Sequence, residues 1–295
     1  MTLLVALFAC ARDREITPPA EIATREVTDD LGRNVRVPQT IERAISLAPN
    51  ITEMIFAIDA GDKLVGVTTY CNYPPDTARI EKVGDTQTPN IEKIISLKPQ
   101  IVFVSTASQL EAFSRTLDDQ GIAVYVTKST SLTDVFTNLR SLGNLFGKPQ
   151  TATNLMNNLS ARMANVSVER GLTKDPPLNV FVQISNEPLF TIGGDSFLTE
   201  VVEKAGGVSA TKNVPTAYPK LSKETAAALN PDVIILSDSE DNREPNAVFK
   251  NSNAVKNGRV YRINADILSR PGPRLVNALE EIASKLSEKK LTARQ

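Results

Sequence analysis

The 295-residue chain is predicted to be an α/β protein of two parallel-sheet lobes joined by one long helix, and three observations predict it. Short apolar runs alternate with amphipathic stretches on both sides of the midpoint, the pattern of parallel strands covered by helices on both faces. An unbroken helical pattern, Lys148 to Arg170, separates the two alternating halves. Each half also carries one signature: Ile91-Glu92-Lys93 leads to Leu97-Lys98-Pro99-Gln100-Ile101-Val102, and Lys223-Glu224-Thr225 leads to Leu229-Asn230-Pro231-Asp232-Val233-Ile234. In both, Glu precedes Pro by seven residues and an apolar strand starts two residues after the Pro. Two copies with equal offsets mark paired lobes, and a cleft between lobes is a natural place for a ligand.

Four segments follow: 1–24 as an export signal and tether, 25–147 as the first lobe, 148–171 as the linking helix and 172–295 as the second lobe. Val27 to Val37 alternates around Asp30-Leu31-Gly32, which predicts a hairpin. Ala44–Leu47 and Leu64–Thr68 read as strands. Between them, Asn50 with Glu53 has the spacing of a capping box and predicts a helix start. A helix over 91–97, a strand over 101–105, a helix over 108–120, a strand over 122–126 and an amphipathic helix over 132–146 complete the lobe. In the linking helix Pro149 suits the first turn, and Leu155, Met156, Leu159, Met163 and Val166 form one apolar face. Beyond Asp175-Pro176-Pro177 the rhythm restarts with a strand over 178–184. Gly193-Gly194-Asp195 is expected to cap a helix reaching Ala205, followed by a helix over 222–229, strands over 233–236 and 259–263, and a closing helix over 273–288.

Composition removes several functions. There is no histidine, which excludes a His-rich metal receptor, a His-ligated zinc hydrolase and a Ser/His/Asp hydrolase. A net charge of -1 without a long basic run gives no reason to expect nucleic acid as a partner. A phosphate-binding loop and a paired Cys cluster are absent, and Gly193-Gly194 lacks dinucleotide spacing, so an enzyme such as a chelatase-like α/β protein stands as a remote alternative. No metal site and no resident cofactor are expected.

The apolar run Leu3 to Ala9 is too short to span a bilayer and suits the end of an export signal. Leu7-Phe8-Ala9-Cys10 resembles the lipobox of bacterial lipoproteins, which implies lipidation of Cys10 and anchoring at the outer face of the cell membrane or in the periplasm. The polar stretch Ala11 to Thr24, with Pro18-Pro19, reads as a tether. Cys71 would then have no disulfide partner within the chain.

Leu47-Ala48-Pro49-Asn50-Ile51-Thr52-Glu53, Val65-Gly66-Val67 and Tyr70-Cys71-Asn72-Tyr73-Pro74-Pro75 resemble the first lobe of class III periplasmic binding proteins, especially the cobalamin-binding members. Leu189-Phe190-Thr191-Ile192-Gly193-Gly194 and Arg270-Pro271-Gly272-Pro273-Arg274 resemble the second lobe. The resemblance implies a monomeric, non-enzymatic substrate-binding lipoprotein of an ABC importer, which captures a corrinoid between its lobes and hands it to the permease. Glu92 and Glu224 match the glutamates that dock against permease arginines. Asn50 and Tyr70 match ligand contacts of the first lobe, and Asp266 and Arg270 match a polar pair facing the corrin amides. Phe190 and Tyr218 would supply aromatic surface, and Thr86 and Ser105 stand where cobalamin-binding members carry tryptophans, of which this chain has none. A ferric-siderophore or haem receptor on the same fold is the alternative. Arg270 would be the pocket's cation for an anionic ligand.

Overall fold

The computed structural model describes residues 23–106, 114–171 and 176–288. Cys10 and the tether up to residue 22 lie outside the described residues, as does the first part of the helix expected over 108–120.

Strands β1 (Thr24–Thr28) and β2 (Asn34–Pro38) form the expected antiparallel hairpin. The first lobe is built on β3 (Ala44–Ser46), β4 (Leu64–Val67), β5 (Glu81–Lys82), β6 (Ile101–Ser105) and β7 (Ala123–Thr127), all parallel in the order β5-β4-β3-β6-β7. Its helices are α1 (Pro49–Ala57), α2 (Ile91–Ser96), α3 (Ser114–Asp119) and α4 (Leu132–Leu145). Ile101 to Val104 are wholly buried, because helices cover both faces of the sheet.

Helix α5, Pro149–Gly171, then runs for 23 residues, about 34 Å at the usual rise. Ala152, Met156 and Leu159 enter the first-lobe core, Val166 enters the second, and Met163 packs against both. The expected stripe of Leu155, Met156, Leu159, Met163 and Val166 therefore ties two cores together. Val276, from the closing helix, also packs into the first core.

The second lobe holds β8 (Asn179–Ser185), β9 (Phe190–Thr191), α6 (Phe197–Lys204), β10 (Val208–Ser209), α7 (Lys223–Leu229), β11 (Val233–Asp238), α8 (Asn253–Lys256), β12 (Val260–Asn264), α9 (Ala265–Ser269) and α10 (Leu275–Ser287). Its sheet order is β10-β8-β11-β12, parallel, with β9 antiparallel on β8. The duplicated signature has one physical form. Lys98 (φ 48°) and Asn230 (φ 38°) both adopt left-handed backbone, ending α2 and α7 immediately before a proline that leads into β6 or β11.

Two local expectations are corrected. Helix α1 starts at Pro49, with Ala48 extended at its N-cap and no side-chain cap, so Asn50 and Glu53 form no capping box. Glu53 turns inward to an ion pair instead. Helix α6 is capped by Ser196, whose Oγ accepts from the Leu198 N–H, rather than by Gly193-Gly194-Asp195. The glycines serve a close approach: a Cβ on Gly193 would lie 1.9 Å from the Thr216 carbonyl oxygen. The Gly193 and Gly194 N–H groups donate to Ala217 and Val214, which seats the loop carrying Tyr218.

Candidate ligand-binding cleft

In a parallel sheet, loops leaving neighbouring strands in opposite directions open a crevice at the carboxyl ends. The first sheet reverses direction between β3 and β6, and the second between β8 and β11. A cleft of about 310 Å³ lies there, at the lower end of the small-molecule range. The first lobe lines it from the end of β3 (Ala48, Pro49, Asn50), from beyond β5 (Thr86), from the end of β6 (Ser105, Thr106) and from beyond β7 (Ser129, Thr130). The second lobe adds Asp195, Ser196, Phe197, Ala217, Tyr218, Ser269 and Pro271.

The lining is hydroxyl-rich and nearly neutral. Among the described residues of the lining, seven are Ser or Thr, Asp195 is the sole charged one, and none is basic. Phe197 and Tyr218 give aromatic surface; Tyr218 is 42% exposed. Desolvation pushes its phenol above the usual range, partly offset by a hydrogen bond with Ser196.

Of the residues singled out from sequence, Asn50, Thr86, Ser105 and Tyr218 meet at this cleft. Tyr70, Phe190, Asp266 and Arg270 are not in its lining. The Tyr70 side chain points to solvent, 61% exposed, while its carbonyl accepts from Arg270. Phe190 is held in β9 against β8, with a bridge to Lys220.

Arg270 is 8% exposed, pairs with Asp266 and is engaged in an interlobe clasp. Its Nη1 donates to Glu53 Oε1 (3.1 Å) and Asn72 Oδ1 (2.7 Å), and its Nη2 lies 2.6 Å from Asp266 Oδ1. Asn72 also donates to Asp266 (2.8 Å). Arg274 grips Glu53 with two donors, Nε at 2.8 Å and Nη2, and its guanidinium stacks 4.1 Å from the Tyr73 ring. Glu53 and Asp266 balance the two arginines, so the seam closes without net charge. Glu53 comes from the first lobe and both arginines from the second. No short-range pattern announces a pairing across more than 200 residues.

Ser129 and Asp195 were missed at the sequence level. Their only signal was position, in loops that follow β7 and β9 at the carboxyl end of each sheet.

Glu92 and Glu224 occupy equivalent places, exposed in the first turns of α2 and α7 behind the N-caps Asn90 and Ser222. A hydrogen bond from its own backbone N–H, joined by Ser222, holds the Glu224 carboxyl below its ordinary range. Cys71 is buried, with its sulfur 3.2 Å from Thr52 Oγ1 and 3.1 Å from Thr68 Oγ1.

Residues 45–267 match the family model described as periplasmic binding protein. An uncharacterised ABC transporter substrate-binding lipoprotein of Bacillus subtilis (strain 168) is 30% identical over 282 residues, 93% of this chain and 89% of the relative. A vitamin B12-binding protein of Vibrio cholerae is 31% identical over 251 residues, 84% of this chain and 90% of the relative. The crystal structure of the periplasmic vitamin B12-binding protein of Vibrio cholerae superposes with a TM-score of 0.70 at 30% identity, over 83% of this chain and 96% of the other. A periplasmic haem-binding protein from Pseudomonas aeruginosa reaches 0.75 at 23% identity, over 85% and 95%, a likeness of fold alone. With two sheets closing on a cleft, one helix joining them and a family match across both lobes, this chain belongs to the periplasmic binding proteins, the extracytoplasmic substrate-binding proteins of ABC importers.

Proposed function

We propose that this protein captures a corrinoid such as cobalamin in its interlobe cleft and delivers it to an ABC permease. The observation that carries this reading is the lining, hydroxyl-rich and without a cation among the described residues. An anionic ferric siderophore, or haem with its propionates, would bring negative charge beside Asp195 with no side-chain cation among the described lining residues to receive it. Desolvating an unpaired carboxylate is costly. A corrinoid presents neutral amides at its rim, which hydroxyl groups can meet as donors or acceptors. Its flat face suits Phe197 and Tyr218. Because the cleft is small, a corrinoid would be held by part of its surface and stay open to solvent elsewhere. Cobalamin also carries its own lower axial base, so a chain without histidine is no obstacle.

The similarity to vitamin B12-binding proteins over most of both chains supports the same reading. In this reading Cys10 carries a lipid that anchors the protein outside the cell membrane, Glu92 and Glu224 meet basic residues of the permease, and the protein acts as a monomer without catalysing a reaction. The test is calorimetric and spectroscopic titration with cyanocobalamin, with cobinamide, which lacks the lower base, and with haem and ferric siderophores. Saturable binding of a corrinoid and none of the anionic ligands is the expected result. Binding of haem or a siderophore with no response to either corrinoid would overturn the assignment.

A further inference from the structure

Three polar side chains in the wall of the cleft form a chain whose directions are fixed. Asn138 on α4 is 1% exposed, and its Nδ2 donates to the Lys128 carbonyl (2.8 Å) and to Ser129 Oγ (3.0 Å). A backbone carbonyl only accepts, so it determines which way the Asn138 amide faces. Asn50 on α1 donates through Nδ2 to Ser129 Oγ (3.3 Å) and to the Pro271 carbonyl of the other lobe (3.4 Å), which orients that amide too.

Ser129 Oγ therefore accepts two N–H groups, and a hydroxyl has two lone pairs and one proton. Its remaining role is donor, and the structure supplies no protein acceptor for that proton among the described residues. Asn50 has both N–H bonds engaged, which leaves its Oδ1 as acceptor. That oxygen receives no hydrogen bond from the described residues and is not among the occluded polar atoms. Both residues line the cleft. A hydroxyl donor and a carbonyl acceptor thus sit side by side, separated by a single amide group.

We propose that Asn50 Oδ1 and the Ser129 hydroxyl form a subsite for a primary carboxamide, with Asn138 as the buried residue that positions Ser129. The amide carbonyl accepts from Ser129 and the amide N–H donates to Asn50. A carboxylate at the same place would set a charged oxygen against Asn50 Oδ1, with no cation among the described lining residues to offset it. The subsite reads amide against acid, and it rests on the corrinoid reading because corrinoids carry amides at their rim.

The experiment titrates the full-length protein with cyanocobalamin and with its three derivatives in which one propionamide is hydrolysed to a carboxylate. At neutral pH one derivative is expected to bind about tenfold or more weakly than the parent. Ser129→Ala should weaken the parent by about three- to tenfold and leave that rejected derivative unchanged, since its acid group has already left the subsite. Ser129→Cys, a weaker donor of similar size, should fall between. Equal binding of all three acids, or a Ser129 effect of the same size on every ligand, would overturn the subsite while leaving corrinoid binding intact. If no corrinoid binds, the corrinoid reading falls and the subsite with it.

Discussion

Glu53→Gln is the substitution that most directly probes what holds the lobes together. The carboxylate is 3% exposed and receives three guanidinium donors, one from Arg270 and two from Arg274. Glutamine keeps the volume but removes the charge and turns one acceptor into a donor facing an arginine. Removing one partner of a buried ion pair costs about 3–5 kcal/mol, because the partner charge stays buried. Two features place this case at the low end. Arg270 keeps Asp266 and Asn72, and Arg274 is the more exposed arginine and retains the Tyr73 ring. The expected loss is about 3 kcal/mol, seen as a midpoint roughly 6–12 °C lower, at about 2–4 °C per kcal/mol for a chain of this size. Thermal and urea unfolding followed by circular dichroism measure it, with Arg274→Ala and the double variant completing a cycle. Because Arg274 and Glu53 are in contact, their effects should fail to add by at least about 0.5 kcal/mol. A Glu53→Gln protein within about 0.5 kcal/mol of the parent, or a strictly additive pair, would refute the clasp as a stabilising element.

Replacing Tyr218 by Ala removes half-exposed aromatic surface, so corrinoid affinity should fall about tenfold while the unfolding midpoint stays within the error of the parent. Glu92→Ala combined with Glu224→Ala should leave ligand affinity unchanged and slow ligand transport in proteoliposomes, most strongly at low salt; transport at the parental rate would remove the docking roles. The lowered carboxyl of Glu224 is charged above its folded value, so docking through it should persist to mildly acidic pH and weaken only as pH falls below the ordinary glutamate range. Asp30 runs the other way: burial, its largest influence, raises its carboxyl, and a raised acid penalises the folded state once both states are ionised. Asp30→Asn retains an acceptor for the Lys128 N–H and should raise stability at pH 7, with the gain fading as pH falls through the raised value; denaturant unfolding at pH 7 and pH 3.5 would show it.

Pattern and propensity alone determined the architecture. Apolar runs at 101–104 and 233–236 became strands buried on both sides, and the stripe from Leu155 through Met163 to Val166 became the helix shared by two cores. Those signals are local, since an apolar period tells a strand or helix which face to bury wherever it ends up. The repeated Glu and Pro offsets were equally local, because each ends a short helix in left-handed backbone before a proline. What the tertiary structure decided was the company of the polar residues. Arg270 reads as the partner of nearby Asp266, and only the fold adds Glu53, 217 residues away. Asn50 reads as a helix cap until Ser129 and Pro271 claim its amide. A guanidinium or an amide bonds whatever complementary group lies nearest in space, and between lobes that nearest group belongs to distant sequence.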